Sequence, residues 1–156
     1  MSLVIFKSNS ADTKGVLFGM AKNQSDIDNS TEVSKNDYMT IAISDEEYAK
    51  MKQDLIWPIS YDSSNNITWN DRSDDDGVDP WTYSQEDYQN QKTNLLDRYN
   101  TIKTQRPDYP KMTELNAAIS TLEGIDPATI GGTSNNNIQY FMYQADNNFL
   151  HPSEVI

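Results

Sequence analysis

The sequence contains no cysteine and only one histidine, His151, in 156 residues. Without cysteine the chain can form neither a disulfide nor a thiolate metal site, and a single histidine cannot supply the paired ligands of a zinc site. His151 also lies close to the end of the sequence, which is a poor place for the preorganised proton relay of a hydrolase. The glycine-rich phosphate-binding patterns and the GxSxG nucleophile pattern are absent too. We therefore predict that the protein is not an enzyme, with no catalytic residue, no cofactor and no resident metal ion.

Positive charge and long apolar runs are also scarce. Twelve Lys and Arg stand against 24 Asp and Glu, so the formal net charge is -12. Binding to nucleic acid needs clustered cations that neutralise phosphates, and this composition argues against such a role. No apolar run approaches the roughly 20 residues of a membrane-spanning helix. We therefore expect that the partners include neither a nucleic acid nor a membrane.

Polar turn formers and aromatic rings are what the sequence has in quantity. It contains 16 Asn, 15 Ser and 12 Thr, together with nine Tyr and three Trp. Asn, Ser and Thr favour turns, caps and strands over helix interiors, whereas the rings can bury large areas. Combined with the periodicities described next, this composition predicts an α+β protein with short strands.

The first 70 residues carry mainly strand signals. Two apolar runs, residues 3–6 and 16–20, flank a polar stretch and predict a β-hairpin. Residues 38–43 alternate apolar and polar side chains, as a half-buried strand does. A second hairpin is predicted from residues 59–61 and 67–69, which flank a loop rich in turn formers.

One helix is predicted between these hairpins. Ser44 and Glu47 have the spacing of a capping box directly after a predicted strand. Met51 and Leu55 follow on one face of this helix, and the next proline ends it. We expect Ile43, Met51 and Leu55 to form one packed unit.

An acidic stretch, residues 71–83, interrupts the pattern and predicts a solvated linker. The alternative is a non-standard calcium site built from four of its carboxylates: Asp71, Asp74, Asp76 and Asp79. A standard EF-hand loop with Gly77 at its sixth position fails, because Arg72 and Tyr83 would occupy the first and twelfth positions, where carboxylates are needed. We accordingly predict a domain at 1–70, the linker at 71–83 and a second domain at 84–156.

The second domain is predicted to be mainly helical. Ser84 caps a helix that runs to about Thr104, prolines break it, and Asp108 caps a second helix that Gly124 ends. The short connection predicts an antiparallel helical hairpin. Its facing apolar residues would be Leu95 or Leu96, Tyr99 and Ile102 on one helix and Leu115, Ile119 and Leu122 on the other. Residues 138–143 predict a final strand, and residues 149–156 an extended tail.

The tail and two aromatic residues are the candidate partner-binding positions. Phe149, Leu150, Val155 and Ile156 are apolar but follow no periodic pattern, so the sequence offers them no evident place in the chain's own core. We expect this tail to dock on another subunit. The aromatic candidates are Trp81 and Tyr83 in the linker. Aromatic residues beside Asn and Asp also suit a sugar-binding face, which is the alternative use of these rings and of Trp57, Tyr61 and Trp69.

Two segments resemble small structural proteins of tailed-bacteriophage virions. One is the short strand that runs into a capped acidic helix at residues 40–52 (TIAISDEEYAKMK), with the turn at residues 61–66 after it. The other is the pair of amphipathic helices between Leu95 and Leu122, broken at Tyr109 and Pro110. Such proteins are associated with tail fibres and baseplates.

The resemblance implies a non-enzymatic structural or assembly component of a phage particle. It further implies that the chain is located in the virion, most simply on the tail, and that it binds other virion proteins as a homo- or hetero-oligomer. Two alternatives remain open: a tail-fibre assembly chaperone, and a carbohydrate-binding module.

Overall fold

The computed structural model describes residues 1–8, 15–30, 33, 37–71, 83–131 and 136–154. It is an α+β protein, with antiparallel strands in the first part of the chain and helices after residue 84, which confirms the predicted class. Contacts within the chain define two compact units. The first comprises Met1–Met51, Ile56–Asp71 and Ser153–Ile156, and the second comprises Lys52–Leu55 and Arg72–Pro152. The predicted limits at residues 70 and 84 therefore miss two short segments. Residues 52–55 belong to the second unit, and residues 153–156 belong to the first.

The first unit contains a three-stranded antiparallel sheet. Its strands are β1 (Ser2–Lys7), β2 (Leu17–Ala21) and β3 (Tyr38–Ile43), and β1 lies in the centre. The predicted first hairpin and third strand are confirmed.

Strand β1 is buried on both of its faces, which explains why its residues 3–6 are all apolar. Val4 and Phe6 belong to one hydrophobic cluster, whereas Leu3 and Ile5 belong to another. Because neighbouring side chains on a strand point to opposite faces, a strand covered on both sides needs a continuous apolar run.

Two helices cover this sheet, and only one of them was expected. The unexpected helix is α1 (Gln24–Asp28), whose N-cap Asn23 accepts from the N–H of Asp26 at 3.0 Å. It places Ile27 against Leu3 and Ile5. Because only one of the five residues of α1 is buried, its sequence shows no helical periodicity and does not predict a helix.

Helix α2 (Asp45–Lys52) begins with the predicted capping box. The N–H of Glu47 donates to Ser44 Oγ at 3.1 Å, and the N–H of Ser44 donates to Glu47 Oε2 at 2.9 Å. Met51 packs with Ile43 as expected, but Leu55 does not. Because the helix ends at Lys52, Leu55 lies beyond it, only half buried, and belongs to the second unit.

The second hairpin is also confirmed, with strands β4 (Ile56–Tyr61) and β5 (Ile67–Asp71) paired antiparallel. It begins earlier than predicted: Ile56 takes the core position expected for Leu55, and Pro58 lies inside β4 instead of ending a helix. Its loop is held by Asp62, whose Oδ1 accepts from the N–H groups of Ser64 at 2.8 Å and Asn66 at 2.9 Å. The hydrogen bonds from Asn66 lower the pKa of Asp62.

The described part of the second unit contains four helices: α3 (Gln85–Gln105), α4 (Met112–Glu123), α5 (Pro127–Ile130) and α6 (Ile138–Ala145). Helix α3 starts with a capping box between Ser84 and Asp87. Helix α4 starts at a different place from the prediction, because Lys111 and not Asp108 is its N-cap, and Lys111 makes no side-chain capping bond. Gly124 is its C-cap, as expected.

Helices α3 and α4 form the predicted antiparallel hairpin. They pack on each other, and Lys92 near the start of α3 donates to the carbonyl oxygen of Glu123 at the end of α4. The buried residues of the two helices are Tyr88, Leu95 and Tyr99 on α3 and Leu115, Ala118, Ile119 and Leu122 on α4. Leu96 and Ile102 are half buried, so Leu95 is the better of the two leucine alternatives.

The final strand predicted at residues 138–143 is wrong, because this segment is helix α6. Its sequence is rich in β-branched and aromatic residues, which favour strands when read alone. Two features instead fit a helix. Asn137 caps it by accepting from the N–H of Tyr140 at 3.3 Å, and its buried residues, Ile138 and Met142, are four positions apart. None of the helices in the described ranges is long and apolar enough to cross a membrane.

Candidate functional site

Of the six predicted partner-binding residues, the structure describes three: Tyr83, Phe149 and Leu150. Val155, Ile156 and Trp81 lie outside the described residues. Tyr83 is half buried, with its ring centroid 5.5 Å from that of Tyr88. The acidic residues of the calcium alternative also lie outside the described ranges, except Asp71. Among the residues that are described, no group of three or more His, Asp or Glu is arranged to hold a metal ion.

Phe149 and Leu150 of the tail are buried within the chain itself, which corrects the premise that the chain has no place for them. Phe149 is 1% exposed and Leu150 is 5% exposed. The ammonium of Lys52 lies 5.0 Å from the centroid of the Phe149 ring, and the hydroxyl of Tyr99 donates to the carbonyl oxygen of Leu150. Arg98 donates to the carbonyl oxygen of Pro152 at 3.1 Å. Side chains held in this way are not available at the surface of the folded chain.

The next two residues of the tail belong to the first unit. The N–H of Met20 in β2 donates to the carbonyl oxygen of Ser153 at 2.8 Å, and Met20 and Glu154 form a parallel β-bridge. Glu154 is buried and accepts from the hydroxyl of Tyr48. The tail therefore adds one step of strand pairing to the outer edge of β2.

A polar cluster in the second unit gathers three residues that are distant in sequence: Asp54, Asn137 and His151. Oδ2 of Asp54 accepts from the Asn137 amide at 2.6 Å, and Oδ1 lies 3.2 Å from Nε2 of His151. Asp54 has a positive φ of 56°, which an Asp adopts more readily than most residues. His151 is 3% exposed. This geometry fixes the orientation of the imidazole and of the chain that carries it, which is a structural task.

Two buried tyrosines of the same unit titrate abnormally. Burial raises the pKa of Tyr88 to about 12, with smaller contributions from Tyr83 and Asp87. Burial also raises the pKa of Tyr99. Both hydroxyls donate to backbone carbonyls, that of Tyr88 to Asn136 at 2.5 Å and that of Tyr99 to Leu150. They act as neutral hydrogen-bond donors that hold loops.

The feature with the chemistry of a binding site is a cleft of about 740 Å³ in the first unit. It is lined by residues 15–18, by residues 57–61 of β4, and by Ser153. Of the large apolar residues that the structure describes, three are well exposed: Met1, Val16 at 50% and Ile59 at 60%. Val16 and Ile59 both line this cleft. Exposed apolar side chains that share one concave surface mark an interaction site more often than scattered ones do.

Each strand along the cleft carries a bulge at the cleft. In β2 the pairing passes from Gly19 to Leu17 and leaves Phe18 without a partner residue in the β1 ladder. In β4 it passes from Pro58 to Ser60 and leaves Ile59 without a partner residue in β5. A bulge bends its strand and re-aims a side chain, and bulges are frequent at sheet edges and beside functional sites.

Aromatic and glycine residues form one end of the cleft. The ring of Tyr61 lies 4.8 Å from that of Phe6, centroid to centroid. A Cβ on Gly15, whose φ is +82°, would stand 3.8 Å from the Tyr61 ring. The side chain of Trp57 is half buried and packs against the hydrophobic cluster that contains Phe6.

Sequence reasoning singled out only Trp57 and Tyr61 among the cleft residues. The sequence predicts ordinary strand positions for Val16 and Ile59, because nothing in a linear pattern shows that two separate hairpins supply one cleft. The short apolar runs that contain them are visible, but the bulges that expose them are not.

We compared the chain with known protein families, curated proteins and solved structures. No family model matches the chain, and no curated protein or solved structure is detectably similar to it.

Proposed function

We propose that this chain is a non-enzymatic assembly protein that binds another protein through the cleft of its first unit. The observation that carries the proposal is the shared position of Val16 and Ile59, which are exposed and apolar and line the same concave surface. Covering such side chains with a partner removes apolar area from water, which contributes about 25 cal/mol per Å². The cleft walls add the half-buried rings of Phe18, Trp57 and Tyr61.

The proposal extends to the setting of this contact. The resemblance of residues 40–52 and of the helical pair to small virion proteins supports a tailed-phage particle, with the chain on the tail among fibre or baseplate proteins. In that setting the partner is another virion protein.

The test is incorporation of the chain into purified particles, measured by mass spectrometry. A Val16→Ser/Ile59→Ser variant should fold with an unchanged melting temperature, because both side chains are exposed, yet it should be lost from particles. The matched control is Thr40→Ser, an exposed position on β3 outside the cleft, which should assemble normally. Normal assembly of the double variant would refute the role of the cleft. Absence of the wild-type chain from mature particles, with binding during assembly, would favour the tail-fibre chaperone instead.

One observation favours a second candidate, a carbohydrate-binding module. Trp57 and Tyr61 line the same cleft, and ring faces are what sugars stack on. A glycan array probed with the isolated chain distinguishes this candidate: sugar binding that is lost in Trp57→Ala but kept in Ile59→Ser would support it.

A further inference from the structure

We propose that the outer edge of β3 is a second protein-binding surface, which takes an extended segment of a basic partner protein as a fourth strand of the sheet. The segment alternates apolar and polar residues and carries a Lys or Arg beside Asp45. This surface goes beyond the proposed function, because β3 lies at the opposite edge of the sheet from β2, the strand that lines the cleft.

The hydrogen-bond pattern of the sheet shows which backbone groups of β3 point outward. In an antiparallel pair, the N–H and C=O of one residue point to the same side, and successive residues alternate. The N–H of Ser8 donates to the carbonyl oxygen of Asp37 at 2.8 Å, and the register continues without a shift to the end of β3. The residues of β3 that face β1 therefore have the odd numbers. The outward N–H and C=O groups belong to the other three residues: Tyr38, Thr40 and Ala42.

These outward groups lie on an edge that the described part of the chain does not cover. Among the described residues, the backbone of β3 hydrogen-bonds to β1 alone. Thr40 and Ala42 are exposed and small, so their side chains leave room for a neighbouring strand. Adding a strand to a sheet edge is a recurring mode of protein recognition, in which backbone hydrogen bonds provide affinity and the alternating side chains provide specificity.

The edge of β3 differs from those of β2 and β4 in having no device that limits pairing. The tail pairs with the outer side of β2 at Met20, and β4 contains Pro58 and a bulge at Ile59. Sheets protect their edges with charges, prolines, bulges or covering segments, because a regular apolar edge pairs readily with other chains. Strand β3 contains no proline, no bulge and no charged side chain in its six residues. A partner strand accounts for the retention of such an edge.

The side-chain pattern and the local charge define the chemistry of the partner segment. Ile41 and Ile43 are buried on one face of the sheet. Thr40 and Ala42 are exposed on the other face. A strand beside β3 shares both faces, so alternating apolar and polar residues match it. Asp45 is exposed directly after β3, in the first turn of α2, and the chain has a net charge of -12, so a basic partner with a cation at that end complements it.

A second copy of this chain is a less suitable occupant than a basic protein. Residues 36–49, which contain β3 and flank it on both sides, include four carboxylates and no Lys or Arg. Pairing two copies of β3 would bring these acidic segments together. The net charge of -12 on each copy adds to the repulsion.

The first experiment measures amide hydrogen exchange of the unbound full chain by NMR. The three outward amides of β3 should exchange about tenfold faster or more than the three amides that are bonded to β1, because only the second set is protected by hydrogen bonds. Equal protection of the two sets would show that the edge is already covered, and would overturn the proposal.

The second experiment selects peptides on the full chain. Random 12-residue peptides in mRNA display are selected on the immobilised protein and counter-selected on the Thr40→Pro variant. This proline removes one outward N–H and no bond to β1, so the variant should fold, which a thermal melt checks. If it does not fold, Thr40→Lys replaces it, because a lysine on the edge repels a cationic segment. Thr40→Ser, which keeps the backbone N–H, is the matched control.

The expected consensus alternates apolar and polar residues, carries a Lys or Arg near one end, and slows exchange of the three outward amides. Loss of one hydrogen bond should weaken its binding to Thr40→Pro about tenfold, whereas Thr40→Ser should bind it like the wild type. Replacing its cation with Gln should weaken binding about fivefold on the wild type and about twofold or less on Asp45→Asn.

Four results would contradict the proposal. They are an acidic consensus, a consensus that protects no outward amide, the absence of any peptide that discriminates against Thr40→Pro, and a dimer in sedimentation velocity that Thr40→Pro abolishes, which would assign the edge to a second copy. The cleft is tested separately, because Val16→Ser/Ile59→Ser should bind the consensus peptide with unchanged affinity. Loss of binding in that double variant would place the peptide in the cleft, which would support the proposed function and overturn the assignment to β3.

Discussion

Oδ1 of Asp54 lies 3.2 Å from Nε2 of His151, 97 positions further along the chain. The same carboxylate accepts from Asn137, the N-cap of helix α6. One side chain at a positive φ thus connects the turn after α2, the start of the last helix and the tail.

Replacing Asp54 with alanine should lower the free energy of unfolding by about 1–3 kcal/mol, because the half-buried Asn137 amide loses an acceptor and the buried His151 loses a hydrogen-bond partner at Nε2. Urea denaturation of the whole chain measures this change. Asp54→Asn is the matched control, since asparagine tolerates a positive φ and keeps an acceptor oxygen; its loss should be smaller. An alanine variant as stable as the wild type would show that the cluster contributes nothing to stability.

The burial of Phe149 predicts that this tail residue stabilises the folded chain. Phe149→Ala should cost about 3–5 kcal/mol, because a fully buried ring leaves a cavity. Asn148→Ala, at the exposed neighbouring position, should stay within about 0.5 kcal/mol. Thermal melts of both variants check this prediction. If the two melted alike, the tail would not belong to the core.

Met51 near the end of α2 and Leu55 just beyond it should differ in what they contribute to stability. Met51 is fully buried in the first unit, so Met51→Ala should cost about 2–5 kcal/mol. Leu55 is half buried beyond the helix, and Leu55→Ala should cost clearly less. Chemical denaturation of the two variants decides the order, and a larger loss at Leu55 would restore the helix as the sequence predicts it.

The buried tyrosines predict a loss of stability in alkali. An unfolded tyrosine titrates near pH 10, whereas burial raises the pKa of Tyr88 to about 12. Because the unfolded state then releases its proton first, the contribution of Tyr88 is complete below pH 10 and is lost as the pH rises from 10 to 12. The raised pKa of Tyr99 acts in the same direction. Unfolding curves measured across this range should show a gentler decline for Tyr88→Phe than for the wild type, and parallel declines would contradict the assignment.

Two glycines in the helical unit should respond oppositely to alanine. A Cβ at Gly131 would lie 2.8 Å from the Cα of Gln85, where backbone must move, so Gly131→Ala should destabilise the fold by about 1–3 kcal/mol. At Gly124 the nearest atom is 3.5 Å away and φ is -76°, so Gly124→Ala should be neutral or stabilising by about 0.4–1 kcal/mol. Denaturation midpoints of the pair test this, and a harmless Gly131→Ala would mean that α3 and the loop after α5 are less closely packed.

Local signals explain which elements could be predicted. The capping box at Ser44, the cap at Ser84 and the α4 stripe of Leu115, Ile119 and Leu122 act within a few residues, and the structure confirms them. The strand prediction for residues 138–143 is wrong because their composition favours a strand, while the deciding contacts come from Asn137 and from buried partners elsewhere in the fold. Helix α1 has a single buried residue and so gives no period.

The cleft escaped sequence analysis for a different reason. Its shape depends on two bulges and on two hairpins that lie far apart in sequence. A bulge is a one-residue shift in pairing, and no pattern of residue types around Phe18 or Ile59 distinguishes it from a regular strand. The burial of Phe149 and Leu150 could not be predicted for the same reason, since they fill space that other elements create.

The pairing of Ser153 and Glu154 with Met20 has a consequence for synthesis on the ribosome. The outer edge of β2 emerges early, but the residues that pair with it are translated more than one hundred positions later. At translation rates of about 5–20 residues per second, this edge stays uncovered on the nascent chain for a time on the order of ten seconds. The first unit therefore finishes folding only after the second has been made, and during that interval the uncovered strand is a natural point for chaperone capture or for mispairing between neighbouring nascent chains.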